Sequence, residues 1–221
     1  MAMVVSGSTK ADPTDESNSS RKHKAIIEAA EELFLEGGYL GTNMDQVAAL
    51  SRVSKQTVYK HFGSKETLFV DLVVSMTTVA ADSVHPESAE PEPDVDIAEY
   101  LVTYAERQLS VVLSPRLLQL RRLVIGEVSR FPDLARVLYE NGPQRAIDAL
   151  EVLFRKLDDR GALAIDDAAV AAATFNWLIM GEPINRAMLL GDSAVPSSAE
   201  LRAHAEHGVR VFLAAYGPAA S

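Results

Sequence analysis

Arg52, Lys55, Lys60 and Lys65 fall in a stretch, residues 52–65, that contains no acid at all. They stand in "SRVSKQTVYKHFGSKE", beside Gln56, Thr57, Tyr59 and His61. These residue types suit a polyanion that carries readable base edges. Ammonium and guanidinium groups neutralise phosphates, a Gln amide can bond adenine bidentately, Lys reaches guanine or phosphate, and Thr and Tyr hydroxyls donate to phosphates. The whole chain has a formal net charge of −10, which argues against indiscriminate polyanion binding. Residues 1–70 hold 8 Lys/Arg against 9 Asp/Glu, and residues 71–221 hold 13 against 22. A basic patch on an acidic body remains compatible with selective DNA binding, because neutralisation depends on the contacting face.

Other chemistry is thin. The sequence has no cysteine, which excludes disulfides and thiolate metal sites. His204 and His207 are three apart on a helical stretch, but no third metal ligand is placed, so a solvated helix face is the reading and no metal is expected. "GDSA" at 191–194 lacks the G-x-S-x-G elbow and the strands it requires. No G-x-x-x-x-G-K-[ST] phosphate loop occurs. Asp158-Asp159 and Asp166-Asp167 flank Gly161 as helix-end residues. Without a reactive constellation the expectation is a non-enzyme without cofactor.

The elements that must position the basic stretch are helical. Ile26, Ala30, Leu33 and Phe34 share one face over Arg21–Glu36, and Gly37-Gly38 stops that helix. "TNMDQVAAL" starts a short second helix, capped by Thr42 with Asp45 or, equally well, by Asn43 with Gln46. Ser54 caps a third helix running to about His61, and Gly63-Ser64 ends it and opens a fourth, of about 64–82. Two short helices joined by a brief turn form a helix-turn-helix, whose second helix enters the major groove. Val58 and Phe62, four apart, must face inward, leaving Lys55, Gln56, Tyr59 and Lys60 outward or on the flanks. The helix N-termini at Thr42 and Ser54 add amides that suit phosphate.

"TNMDQVAALSRVSKQTVYKHFGSKETLF" resembles the DNA-binding segment of the TetR family of bacterial transcriptional regulators, and the similarity extends from Ala25 to Phe69. The resemblance implies a homodimeric, mostly repressing regulator with a larger helical domain that binds an effector and dimerises. It departs from the family at Arg52, where Gly is common in the motif turn; a left-handed backbone there would carry a strain of about 1 kcal/mol. Carried over by position, Lys55, Gln56 and Thr57 become candidates for base-edge contacts. Thr42, Ser54, Tyr59, Lys60, His61 and Lys65 become phosphate positioners, with Arg52 adding a nearby cation. Arg21, Lys22 and Lys24 are candidate arm contacts.

Residues 1–20 read as a disordered arm, 21–66 as the helix-turn-helix domain and 67–221 as an effector-binding and dimerisation domain, with a Pro- and acid-rich linker at 83–95. Further helices cover about 96–113, 116–129, 133–140, 143–159, 167–190 and 198–216, with a kinked single helix as an alternative across Asn141-Gly142-Pro143. No strand alternation appears, so the fold class is all-α. Small residues Ala168, Ala171, Ala172, Ala205 and Gly208 would allow close helix approach, in a dimeric four-helix bundle or an internal pair. Pocket candidates are Tyr100, Tyr104, Leu120, Arg121, Phe175, Asn176, Trp177 and Met180, lining a chiefly apolar cavity with a few polar anchors. The expected partners are a palindromic double-stranded operator, a small, largely apolar effector that releases it, and a second copy of the chain. A DNA-independent ligand-binding or scaffold protein retaining the head fold is the alternative. No apolar run approaches a membrane span and the N-terminus has no positive n-region, so a cytoplasmic location without membrane contact is expected.

Overall fold

The structure, a computed structural model, describes residues 13–84, 91 and 95–218. Among these residues there are helices and no strand, the all-α architecture that the hydrophobic periodicity predicts. The chain divides into two compact units, one through Leu72 and one from Val73.

The first unit contains α1 (Pro13–Gly41), α2 (Met44–Leu50), α3 (Lys55–Phe62) and the start of α4 (Lys65–Val84). The disordered arm expected over residues 1–20 is helical from Pro13, a residue that opens helices readily because its missing N–H would have no partner there. Residues 1–12 lie outside the described residues. α1 breaks at Gly38, whose φ of 70° is a left-handed value that glycine adopts without strain. Ile26, Ala30 and Phe34 from α1, Val47 from α2, Val58 and Phe62 from α3, and Leu68 and Phe69 from α4 form the buried interior. Phe34 and Phe69 meet at 4.8 Å between ring centroids, and Tyr39 lies 5.4 Å from Phe69. Each fully buried Phe is worth about 1.5–3 kcal/mol over its exposed state, so this aromatic cluster anchors a motif whose helices are too short to be stable alone.

The second unit holds α5 (Ile97–Val112), α6 (Pro115–Glu127), α7 (Pro132–Tyr139), α8 (Arg145–Asp159), α9 (Ala168–Leu190) and α10 (Ser198–Tyr216). Between α7 and α8 the chain stays helical through one π turn, Glu140–Gln144, which accommodates Pro143 inside it. The kinked continuous path is therefore the one formed. Most of the linker read at 83–95 lies outside the described residues.

Phe154 of α8, Phe175 of α9 and Phe212 of α10 are each buried, at ring separations of 5.0–5.6 Å. Ala171, Ala172, Ala205 and Gly208 are also buried within the chain, and a Cβ on Gly208 would sit 2.6 Å from Ile179 Cδ1. Gly208 thus serves the close internal approach of α9 and α10, one of the two arrangements that its size allows. His204 Nε2 lies 2.8 Å from the Ile179 carbonyl across the same crossing.

The 20-residue α4, whose most apolar 18-residue window has mean hydropathy 1.5, has the length and composition of a bilayer crossing, which the sequence reading did not anticipate. Its Leu68, Phe69, Leu72 and Val73 are fully buried, so its apolarity is that of a core helix.

Candidate nucleic-acid interface and cavity

Asn43, not Thr42, caps α2. Its Oδ1 accepts from the amides of Asp45 and Gln46 at 3.0 Å each, and Gln46 Oε1 accepts from the Asn43 amide at 3.0 Å. Thr42 is buried instead, its hydroxyl set against the carbonyls of Leu33 (2.9 Å) and Gly38 (3.0 Å) where α1 breaks. An inward hydroxyl bonded to two carbonyls cannot position phosphate, and Thr42 leaves the candidate set. Lys65 leaves it for a related reason. Its ammonium donates to the carbonyls of Tyr39 (2.8 Å) and Thr42 (2.9 Å) and lies 4.3 Å from the Tyr39 ring centroid. It fastens α4 to the end of α1.

The motif turn has the left-handed residue that the family comparison places in question. Arg52 has φ 57°, with its side chain exposed, and the turn is closed by the Val53 amide donating to Ala48 O at 3.1 Å. Ser54 then caps α3, its Oγ accepting from the Thr57 amide (3.1 Å) and sharing a hydrogen bond with Thr57 Oγ1 (2.8 Å). Capping of this kind is worth about 1 kcal/mol and fixes where an eight-residue helix begins.

With Val58 and Phe62 buried, α3 turns Lys55, Gln56, Tyr59 and Lys60 to solvent. Lys55 is paired with Asp45 at 2.8 Å, and that carboxylate, first by hydrogen bond and then by charge, raises the ammonium pKa. The pair is exposed, so solvent screens it and phosphate can replace it. His61 is half-buried beside Phe62 and 6.1 Å from the His23 ring. Burial, then His23, Lys60 and Lys22, push its pKa below the ordinary 6.5. His23 is the residue that the sequence reading passed over. Arg21, Lys22 and Lys24 lie on α1 itself, exposed, rather than on an arm.

The second unit contains a cavity bounded by α4, α5, α6, α7, α8 and α9, with about 780 Å³ between its walls, part of it open to solvent. Of the residues proposed for such a pocket, Leu120, Arg121, Asn176, Trp177 and Met180 line it, whereas Tyr100, Tyr104 and Phe175 do not. Tyr104 and Phe175 face the core, their rings 6.1 Å apart, and burial pushes the Tyr104 phenol pKa up; Tyr100 packs against the same core. The sequence reading missed Gln108, the wall made by Leu138, Asn141, Gly142 and Pro143, and the small residues Ala80, Ala81 and Ala146. Gln108 carried a signal, an amide four residues after Tyr104 on the apolar face of α5; the small residues carried none. Gln108 Nε2 donates to Asn176 Oδ1 at 2.8 Å, both side chains being buried.

A short capped helix that shows amide, phenol and ammonium groups above an apolar underside, behind a second helix and a tight turn, defines the class of helix-turn-helix proteins. Comparison with known proteins narrows this. Residues 26–72 match the family described as bacterial regulatory proteins, tetR family, and residues 99–218 match AefR-like transcriptional repressor, C-terminal domain. The chain belongs to the TetR family of transcriptional regulators.

A solved TetR-family regulator from Mesorhizobium loti is 39% identical, with 90% of this chain and 98% of that one covered at a TM-score of 0.83. The flavonoid-responsive regulator FrrA is 33% identical over 91% of this chain and all of that one, at a TM-score of 0.76. The HTH-type transcriptional repressor Rv3405c of Mycobacterium tuberculosis is 30% identical over 115 residues, 52% of this chain and 55% of that protein. The chain spans about half the length, or less, of the curated relatives it matches.

Proposed function

We propose that this protein is a ligand-responsive transcriptional repressor that binds a palindromic operator as a homodimer and is released by a small, largely apolar effector. The observation that carries the reading is the outward face of α3, where Gln56, Tyr59 and Lys60 are exposed over buried Val58 and Phe62. Lys55, Gln56 and Thr57 address base edges, while Arg52, Ser54, Tyr59, Lys60 and His61 position the phosphates. Two such helices in a dimer reach successive major grooves about 34–36 Å apart. Exposed Val170 on α9 and Val211 on α10 supply apolar surface for a second copy. The repressor sense is supported by the names of the matched C-terminal family and of the mycobacterial relative. That FrrA is named flavonoid-responsive supports an aromatic effector.

Coupling runs through α4. It supplies Thr77, Ala80, Ala81 and Val84 to the cavity, and its first residue, Lys65, holds the carbonyls of Tyr39 and Thr42. An effector that alters α4 alters the setting of the motif, and a coupling of about 1–3 kcal/mol changes DNA affinity roughly 5- to 150-fold. A regulator of this kind works in the cytoplasm.

The test is selection of bound fragments from the source genome by the purified protein at two salt concentrations, alongside Tyr59→Ala/Lys60→Ala. A palindromic site recovered by the wild type and lost in the folded double variant supports the reading. Failure of folded, ligand-stripped dimer to enrich any fragment sinks it and favours the DNA-independent alternative.

A further inference from the structure

Two neighbouring arginines on α6 differ in a way that bears on the cavity. Arg122 is satisfied: it pairs with Asp192 at 2.7 Å and donates to the Ala187 carbonyl at 2.8 Å. Arg121 points into the cavity wall with no hydrogen-bond or ionic partner among the described residues, and the lining contains no Asp or Glu. Burial lowers its pKa and no carboxylate acts on it, yet a guanidinium stays charged at any physiological pH. A second polar group is also left open. Gln108, 3% exposed, donates to Asn176 from Nε2, but its Oε1 has no partner. A buried polar atom without a partner, as Gln108 Oε1 is, is rare in folded proteins, and Arg121, half-buried in a largely apolar lining, is a cation with no counter-charge beside it. Here both border one cavity, one demanding an anion and the other a hydrogen-bond donor.

We infer that the ligand of this cavity is an apolar body carrying one oxyanion, held by Arg121, and one neutral hydroxyl or amine, which donates to Gln108 Oε1. This rests on the proposed effector role of the cavity and gives its ligand a chemical class. The remaining lining, such as Leu120, Met180 and Ile184, takes the apolar body. A carboxylate and a phenolate present the same oxyanion to a guanidinium, and a carboxylate is the better partner because it accepts both prongs of the fork.

The matched probes are 6-hydroxy-2-naphthoate, its methyl ester, which lacks the charge, and 2-naphthoate, which lacks the donor. 2-Naphthol at pH 8 and pH 10.5 separates phenolate from carboxylate binding. Titration calorimetry on the full chain is expected to show the hydroxy acid binding at least tenfold more tightly than its ester. Arg121→Met should bring the acid within about twofold of the ester while leaving the ester unchanged, and Arg121→Lys should keep part of the preference. Gln108→Leu should remove the advantage of hydroxynaphthoate over naphthoate.

Equal binding of acid and ester by the wild type, or an acid preference that survives Arg121→Met, overturns the assignment; so does failure of every probe to bind. Circular dichroism confirms folding, and the acid–ester comparison on the wild type decides the matter even if Arg121→Met does not fold. A neutral probe that binds and shifts operator affinity would leave the regulator reading standing and the anion assignment refuted. An acid bound through Arg121 that leaves operator affinity unchanged would do the reverse.

Discussion

The head and the body of this protein handle polar side chains in opposite ways. In the first unit, α3 buries two apolar residues and turns its polar ones to solvent, so its chemistry lies on a surface and each group keeps its water until DNA arrives. In the second unit, Gln108 and Asn176 are turned inward and Arg121 lines a largely apolar cavity. The first arrangement costs little in stability and relies on charge, so it responds to salt. The second leaves a buried carbonyl, Gln108 Oε1, waiting for a donor and a half-buried cation without a counter-charge, so it discriminates by chemistry. What the contrast teaches is that substitutions in the head should separate binding from stability, whereas those in the body should mix the two.

The largest expected effect distinguishes core from cavity within two residues of α9. Phe175→Ala should destabilise by about 3–5 kcal/mol, as removal of a fully buried ring does, whereas Trp177→Ala, 46% exposed, should cost less than about 1 kcal/mol. Chemical denaturation of both variants checks this; equal losses would mean that Trp177 is core as well.

Next comes the separation in the head. Tyr59→Ala/Lys60→Ala should leave stability within about 0.5 kcal/mol while weakening operator binding about tenfold or more, with the salt slope reduced by about 1 through loss of Lys60. A large fall in Tm would break the comparison, since it would make these residues structural.

Thr42→Val tests the reassignment of that residue from DNA to fold. Loss of its buried hydroxyl should cost about 1–2 kcal/mol of stability, and the salt slope of DNA binding should not change. A shallower slope with unaltered stability would return Thr42 to the contact set. Arg52→Gly should stabilise the protein by about 1 kcal/mol by relieving a left-handed L-residue, measurable as a shift in denaturation midpoint.

The smallest effect is the pH dependence of His61. Its folded pKa is depressed by burial and by His23, Lys60 and Lys22, so the unfolded chain takes up the proton first. The contribution to stability is full above the ordinary value of 6.5 and declines as pH falls from there through the folded pKa. Phosphate beside the ring would favour the imidazolium, so operator affinity should rise over the same acidification. His61→Gln should flatten both profiles; a profile of DNA affinity unchanged by the substitution removes His61 from the interface.

The head was legible because its determinants are local. The Gly38 stop, the Asn43 and Ser54 caps, the inward pair Val58 and Phe62 and the irregular turn at Arg52 all act within a few residues, where spacing is informative. What escaped there was long-range: Lys65 bonds carbonyls 26 and 23 residues upstream, and no spacing rule distinguishes such an ammonium from one facing solvent. In the cavity the balance reversed. Aromatic residues on apolar helices looked equally suited to core and pocket, and the angular position of each around its helix, together with the packing of α8 and α10, put Tyr104 and Phe175 in the core.

By itself, then, the sequence determined the helical fold, the place and outward chemistry of the recognition helix, and the family to which the chain belongs, because periodicity, capping and turn geometry are properties of contiguous residues. Only the tertiary structure decided which polar groups are already bonded and which are left open. Thr42 and Lys65 are bonded to carbonyls distant in sequence, and Gln108 Oε1 and Arg121 meet at one cavity from separate helices. Whether a donor or acceptor is satisfied depends on what packs beside it, and that is set by chain segments far apart in the sequence.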